Sequence, residues 1–72
     1  MIVNIHPNPA TNMLTISGLN NIDSVKVYSV LGRLEKEAFN THQIDISDLA
    51  SGVYMVKVNN GSDMISKKII KQ

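Results

Sequence analysis

The sequence predicts an all-β domain, an antiparallel β-sandwich of about seven short strands, on three observations. Apolar and polar residues alternate with period two through most of the chain, the spacing at which one face of a strand is buried and the other is wet. Turn residues interrupt that alternation about every eight to twelve residues, the rhythm of a sandwich or barrel. No segment carries the wider period of an amphipathic helix over a useful length.

The elements follow in order. A first strand from Ile2 to Ile5 ends at His6-Pro7-Asn8-Pro9, where two prolines fix φ and remove two backbone donors. Thr11 and Asn12 prolong the turn, and Met13 to Ser17 returns as a strand with Leu14 and Ile16 on one face. Gly18 to Asp23 is a polar connection holding Leu19 and Ile22. In the third strand, Ser24 to Val30, Val25 and Val27 share a face opposite Lys26 and Tyr28. Leu31-Gly32 reads as a tight hairpin turn, because glycine accepts the positive φ such loops need. Arg33 to Phe39 mixes charged and apolar residues as an exposed strand does, and Asn40-Thr41-His42 is a loop.

Gln43 to Ile46 is a short strand with Ile44 and Ile46 inward. Ser47 to Gly52 combines a serine-aspartate start, one leucine and a closing glycine, the marks of a single helical turn at a corner. Val53 to Asn59 places Tyr54, Val56 and Val58 on one face, with the Tyr54 hydroxyl expected to reach a loop carbonyl. Asn60-Gly61 favours a two-residue type I′ hairpin. The last strand runs from about Ser62 to Lys71.

Seventy-two residues suffice for one domain, 1–72, with no internal linker or repeat. A chain of this length buries only about 60% of its unfolded surface, so its stability is slender. With no cysteine and only Phe39, Tyr28 and Tyr54 as aromatics, the core must be aliphatic. The net charge of +1 argues against a dedicated nucleic-acid binder. No apolar run approaches the roughly 18 residues of a membrane helix. No export signal is read at the N-terminus, so a secreted domain of this kind would depend on a signal carried by a longer parent.

Chemistry is hard to find. His6 and His42 have no second ligand at metal spacing and read as ordinary loop residues. Asp23, Asp45, Asp48 and Asp63 lack the dense alternation of a calcium loop. No serine lies in a glycine-flanked elbow, and the scattered glycines build no phosphate cradle. The chain is therefore not expected to be an enzyme or to use a cofactor, a metal or a small-molecule substrate. The absence of tryptophan also weakens a sugar-binding reading. One segment stands apart, Ser66-Lys67-Lys68-Ile69-Ile70-Lys71-Gln72, where paired lysines meet paired isoleucines. It reads either as an edge strand guarded by lysines or as a tail presented to a receptor.

Taken together, several motifs carry a family likeness. Pro7-Asn8-Pro9-Ala10-Thr11-Asn12 followed by Leu14-Thr15-Ile16, and then Val25-Lys26-Val27-Tyr28-Ser29-Val30-Leu31-Gly32-Arg33, form the first half. The second half is Ile44-Asp45-Ile46-Ser47-Asp48-Leu49-Ala50-Ser51-Gly52-Val53-Tyr54-Met55-Val56-Lys57-Val58, then Lys67-Lys68-Ile69-Ile70-Lys71. In this order and spacing they resemble the C-terminal sorting domain of the type IX (Por) secretion system of Bacteroidetes. Departures are His6, where the family often has an aromatic residue, and Ser29, where it often has aspartate.

The resemblance implies an immunoglobulin-like sandwich of seven strands, matching the count made from the residues. It implies a C-terminal secretion signal that is covalently part of a larger cargo protein. The cargo passes through the periplasm and crosses the outer membrane with an outer-membrane shuttle. A sortase then removes the domain, and the cargo is attached at the cell surface or released. Pro7, Asn8, Pro9, Gly32, Arg33, Gly52 and Tyr54 are assigned to architecture. Lys67, Lys68, Ile69, Ile70 and Lys71 are assigned to recognition, by strand addition or carboxylate capture, with the three lysines steering. On this reading, loss of the last five residues abolishes export and leaves most of the fold intact. The contrasting reading is a fibronectin-like structural or adhesive spacer of a secreted protein.

Overall fold

The computed structural model describes residues 3–72, and the expected strand start at Ile2 lies outside them. Seven strands form: β1 (Asn4–His6), β2 (Met13–Ser17), β3 (Ser24–Ser29), β4 (Leu34–Phe39), β5 (Gln43–Asp45), β6 (Gly52–Asn59) and β7 (Met64–Lys71). They build two antiparallel sheets, β1-β2-β5 and β4-β3-β6-β7, stacked as the expected sandwich.

The period-two pattern decides what lies between the sheets. Leu14 and Ile16 from β2 and Ile44 from β5 face Val25 and Val27 from β3 and Tyr54, Val56 and Val58 from β6. Leu19 and Ile22, from the connection between β2 and β3, and Ile46, just past β5, close the ends of this layer. Register keeps the rows aligned: Val25 is opposite Val58 and Val27 opposite Val56. Because a slip by one residue would turn every one of these side chains to water, the apolar pattern itself fixes the pairing.

The Tyr54 hydroxyl donates to the Ala50 carbonyl at 2.7 Å, as expected from a buried tyrosine at a corner. Among the described residues, no buried side-chain nitrogen or oxygen lacks a hydrogen-bond partner. A core built from so few residues has little reserve to offset an unpaired polar group.

Three turns differ from expectation. Between β3 and β4 the loop has three residues rather than two. The Gly32 N–H donates to the Ser29 carbonyl at 2.9 Å and the Ser29 N–H to the Arg33 carbonyl at 2.9 Å, with Gly32 at φ +84°. A turn followed by a left-handed glycine is the three-residue hairpin, so the glycine reading holds while the loop length does not. The pairing shifts again where Val27 opposes Lys36 and Tyr28 opposes Leu34, which leaves Glu35 as a bulge.

The hairpin tip is displaced by one residue from Asn60-Gly61 to Gly61-Ser62, because the Asn60 N–H donates to the Asp63 carbonyl at 3.1 Å beyond the last strand pair, Asn59 and Met64. Only Gly61 takes a positive φ, +98°, and Asn60 does not, so no type I′ turn forms. Asparagine side chains account for the difference. Asn59 Oδ1 accepts from the Gly61 N–H at 2.8 Å, and Asn60 Oδ1 accepts from the Asp63 N–H at 2.7 Å. These local bonds shift the turn by one residue and replace the type I′ geometry.

The third difference is the corner after β5, which is a β-turn rather than a helical turn. A single bond from the Leu49 N–H to the Ile46 carbonyl, 3.0 Å, closes it. The Ser47 N–H donates to Asp45 Oδ1 at 2.8 Å and offers the backbone a non-helical alternative. The corner is also tied to β4, since Lys36 Nζ lies 2.8 Å from both carboxylate oxygens of Asp48.

The backbone bond from Ser47 holds the Asp45 carboxyl below its usual range, and the Lys36 bond does the same for Asp48. A carboxylate with a lowered folded-state pKa contributes stability above the ordinary value near 3.8, and that contribution is lost as pH falls through the folded value. Urea midpoints are therefore expected to fall as pH drops below about 4, with a shallower fall in the D45N/D48N variant. An equal fall in both proteins would contradict this. In the core, Leu14→Ala is expected to cost about 2–5 kcal/mol in urea unfolding. Met64→Ala, at an exposed position, is expected to stay within about 0.5 kcal/mol of the parent.

Candidate functional site

β7 is an edge strand, and strand alternation divides its residues between two faces. Ile69 and Lys71 turn inward with Ile65, and Lys67 shares their phase but stays exposed, whereas Lys68 and Ile70 turn outward with Met64 and Ser66. Ile69 is fully buried opposite Tyr54, and Lys71 is buried opposite Gly52 with its Nζ donating to the Gln72 carbonyl at 2.9 Å. Lys67 and Lys68 are exposed, and neither makes an ion pair among the described residues.

The outer edge of β7 is only partly open. Asn8, between the two prolines, places its side chain across that edge: Oδ1 accepts from the Ile70 N–H at 3.0 Å, and Nδ2 donates to the Lys68 carbonyl at 3.4 Å. Two residues on, the Ala10 N–H donates to the Ile70 carbonyl and the Gln72 N–H donates to the Ala10 carbonyl, each at 2.8 Å. Ala10 thereby forms a parallel bridge to Lys71.

The segment around Asn8 thus clasps the last residues of β7 as a short eighth rung. Proline explains how it reaches there. Pro7 and Pro9 cannot donate to a ladder, so the segment leaves β1's sheet and turns to the other one. Because Ile70 and Gln72 point their amides outward, Met64, Ser66 and Lys68 do so as well. Their edge runs free of the clasp, apart from the Lys68 carbonyl.

These positions sort the residues singled out from sequence. Asn8 is a direct ligand of the C-terminal strand, and Pro7 and Pro9 frame it. Gly32 and Arg33 belong to the β3–β4 hairpin, where Arg33 pairs with Glu35 at 3.2 Å. Gly52 opens β6, and Tyr54 is in the core. Of the five tail residues, Lys67, Lys68 and Ile70 face solvent while Ile69 and Lys71 do not, so Lys71 is not a free steering charge.

Other expectations change with these placements. Strand addition beside Ile70 and Gln72 would have to displace Asn8 and Ala10. The last five residues also contribute to the fold. Their removal takes away fully buried Ile69, both bonds at Ile70 and the Gln72 bond to Ala10. His6 ends β1 instead of lying in a loop, and His42 Nε2 is 3.0 Å from the Leu19 carbonyl oxygen. Among the described residues no cluster of histidine and carboxylate side chains is fit to hold a metal ion.

Residues 4–72 match the family described as the secretion system C-terminal sorting domain, Por_Secre_tail. The chain belongs to this family. No curated protein matches it. The sorting domain is a C-terminal secretion signal for the type IX secretion system, and the spacer reading is not favoured. Such a signal sends its cargo across the outer membrane to the surface or the extracellular space. The match spans both the clasp and the strand it holds.

Sequence reasoning assigned Asn8 to a turn and missed its contact with β7. The signal was a lone polar side chain fixed between two prolines, where little else is left for it to do. Asn8→Ala removes two exposed hydrogen bonds and is expected to cost about 1 kcal/mol. Amide hydrogen exchange checks the geometry. In the parent, Ile70 and Gln72 are expected to be protected and Ser66 to exchange fast, and in Asn8→Ala the protection of Ile70 falls selectively. Equal protection at Ser66 and Ile70 in the parent would contradict the clasp.

Proposed function

We propose that the sorting domain is read by an outer-membrane shuttle through the exposed part of its C-terminal strand. A sortase then separates the domain from its cargo, which is attached at the surface or released after passing through the periplasm. The observation that carries this reading is the pair Lys67 and Lys68, exposed and without ion pairs beside the unclasped edge at Met64 and Ser66. An open edge offers main-chain bonds to an added strand, and unpaired lysines favour an acidic partner. Ile70 adds an apolar contact on the outward side. Pro7, Asn8, Pro9, Ala10, Ile69 and Lys71 act indirectly, by holding β7 in register.

The domain contributes no catalytic group in this reading and takes no cofactor. Its part is to be a folded surface that the machinery recognises.

The test attaches residues 1–72 to the C-terminus of a reporter that carries an inner-membrane export signal, in a bacterium with the type IX machinery. Reporter at the surface, lost when the machinery is deleted, is the expected outcome. The K67E/K68E variant is expected to lower surface delivery at least about tenfold while the domain stays folded, because both side chains are exposed. Delivery of K67E/K68E at the parent's level would remove the tail from recognition. A folded domain held in the periplasm even with native lysines would count against its being a sufficient address.

A further inference from the structure

The outer face of the four-stranded sheet is unusually apolar for a surface. Among the described residues, every exposed large apolar side chain except Met13 lies on this face or on its hairpin tip. Register places them in rows. Leu34, Tyr28, Met55 and Lys68 form one row across all four strands, and Val53 and Ile70 form the adjoining pair. At the end of these rows the β3–β4 hairpin projects Val30, 73% exposed, and Leu31, 92% exposed. Between tip and sheet lies a concavity of about 450 Å³ whose walls include Tyr28, Val30, Val53 and Met55.

Edge protection does not explain this pattern. β6 is a central strand, yet both phases of its alternation are apolar, Tyr54, Val56 and Val58 inward and Val53 and Met55 outward. A sheet face meant only for water alternates apolar with polar. A contiguous apolar patch with polar borders marks a contact surface.

The borders are basic. Lys57 and Lys68 reach the same concavity, and neither is ion-paired among the described residues. Lys57 Nζ stands 5.1 Å from the centre of the Tyr28 ring. Lys26, beyond them, is neutralised by Glu37 at 3.5 Å. The face therefore offers two uncompensated cations beside an apolar hollow. These cations complement an acidic partner, whereas a second copy would present the same excess of positive charge. A hollow, rather than a smooth apolar surface, accepts side chains better than it accepts a bilayer.

We propose that this face docks a protein segment of stated chemistry, apolar side chains flanked by carboxylates. Leucine- or phenylalanine-like groups fill the hollow between Val30, Val53 and Met55, and carboxylates pair with Lys57 and Lys68. The inference shares Lys68 and Ile70 with the sorting reading and extends it to the sheet's outer face; the peptide titration tests the face and the reporter assay tests the address, so either can fail alone.

The experiment titrates the isotope-labelled 72-residue chain with short peptides alternating glutamate with leucine or phenylalanine, and with the same peptides carrying lysine for glutamate. Vesicles of phosphatidylglycerol form a third arm. Saturable amide shifts centred on Tyr28, Met55 and Ile70 are expected with the acidic peptides alone. K57E/K68E is expected to weaken the acidic peptides at least about tenfold and to admit the lysine peptides, a swap that mere damage to the fold cannot produce. Met55→Glu, at a position already 37% exposed, is expected to abolish binding with an unchanged melting temperature. The proposal is overturned by no saturable binding, by shifts confined to the edge of β4, by indifference to K57E/K68E, or by binding to vesicles and not to peptides.

Discussion

Asn8 and Ala10 join the beginning of the described chain to its end through four hydrogen bonds, and the rest of the molecule is arranged around that closure. The four-stranded sheet is open, and β7 is one of its two edges. The clasp covers the half of β7 that carries buried Ile69 and Lys71, which lets those side chains stay under the sheet. The two Asn8 bonds are individually modest, since both are exposed. Their value is positional. They fix the register of a strand whose two faces have different roles.

Those roles are separated by nothing more than alternation. Ile65 and Ile69 of β7 complete the aliphatic core, and its outward residues extend a face shared with β3, β4 and β6. The paired lysines and paired isoleucines of the tail therefore divide one to each phase: Lys68 and Ile70 outward, Lys67 and Ile69 on the other. A motif that looks uniform in one dimension becomes two half-motifs in the fold. A secretion signal of this kind has shape, charge and apolar contact as its vocabulary.

Much of this was legible in the chain. Seven strands, their inward side chains and the Tyr54 hydroxyl bond follow from period-two spacing and from the need to satisfy a buried phenol. Two of the three turn misses share a cause. At Asn59, Asn60 and Asp45 a short polar side chain captured a nearby backbone N–H and changed the turn, and such local bonds compete closely with standard turn geometry. At Asn8 the partner was some sixty residues away, which no local pattern contains. The outward apolar rows were visible as Val53 and Met55 in a strand already apolar on its other phase. They come together as a surface only when register sets them beside Tyr28, Leu34 and Ile70.

The closure between Asn8 and β7 also shapes how the chain reaches its fold. Contacts spanning nearly the whole sequence must wait until a long loop has been brought together, and topologies of this sort fold slowly for their size. Until that moment the aliphatic layer is open along one side and the outer edge of β7 is bare. An unfinished chain thus differs from a finished one in the strand whose outward residues the machinery would inspect. A receptor that requires Lys68 and Ile70 on one side of a correctly registered strand would engage completed domains and pass over incomplete ones. The position of Asn8 would then make the address a report on folding as well as on destination.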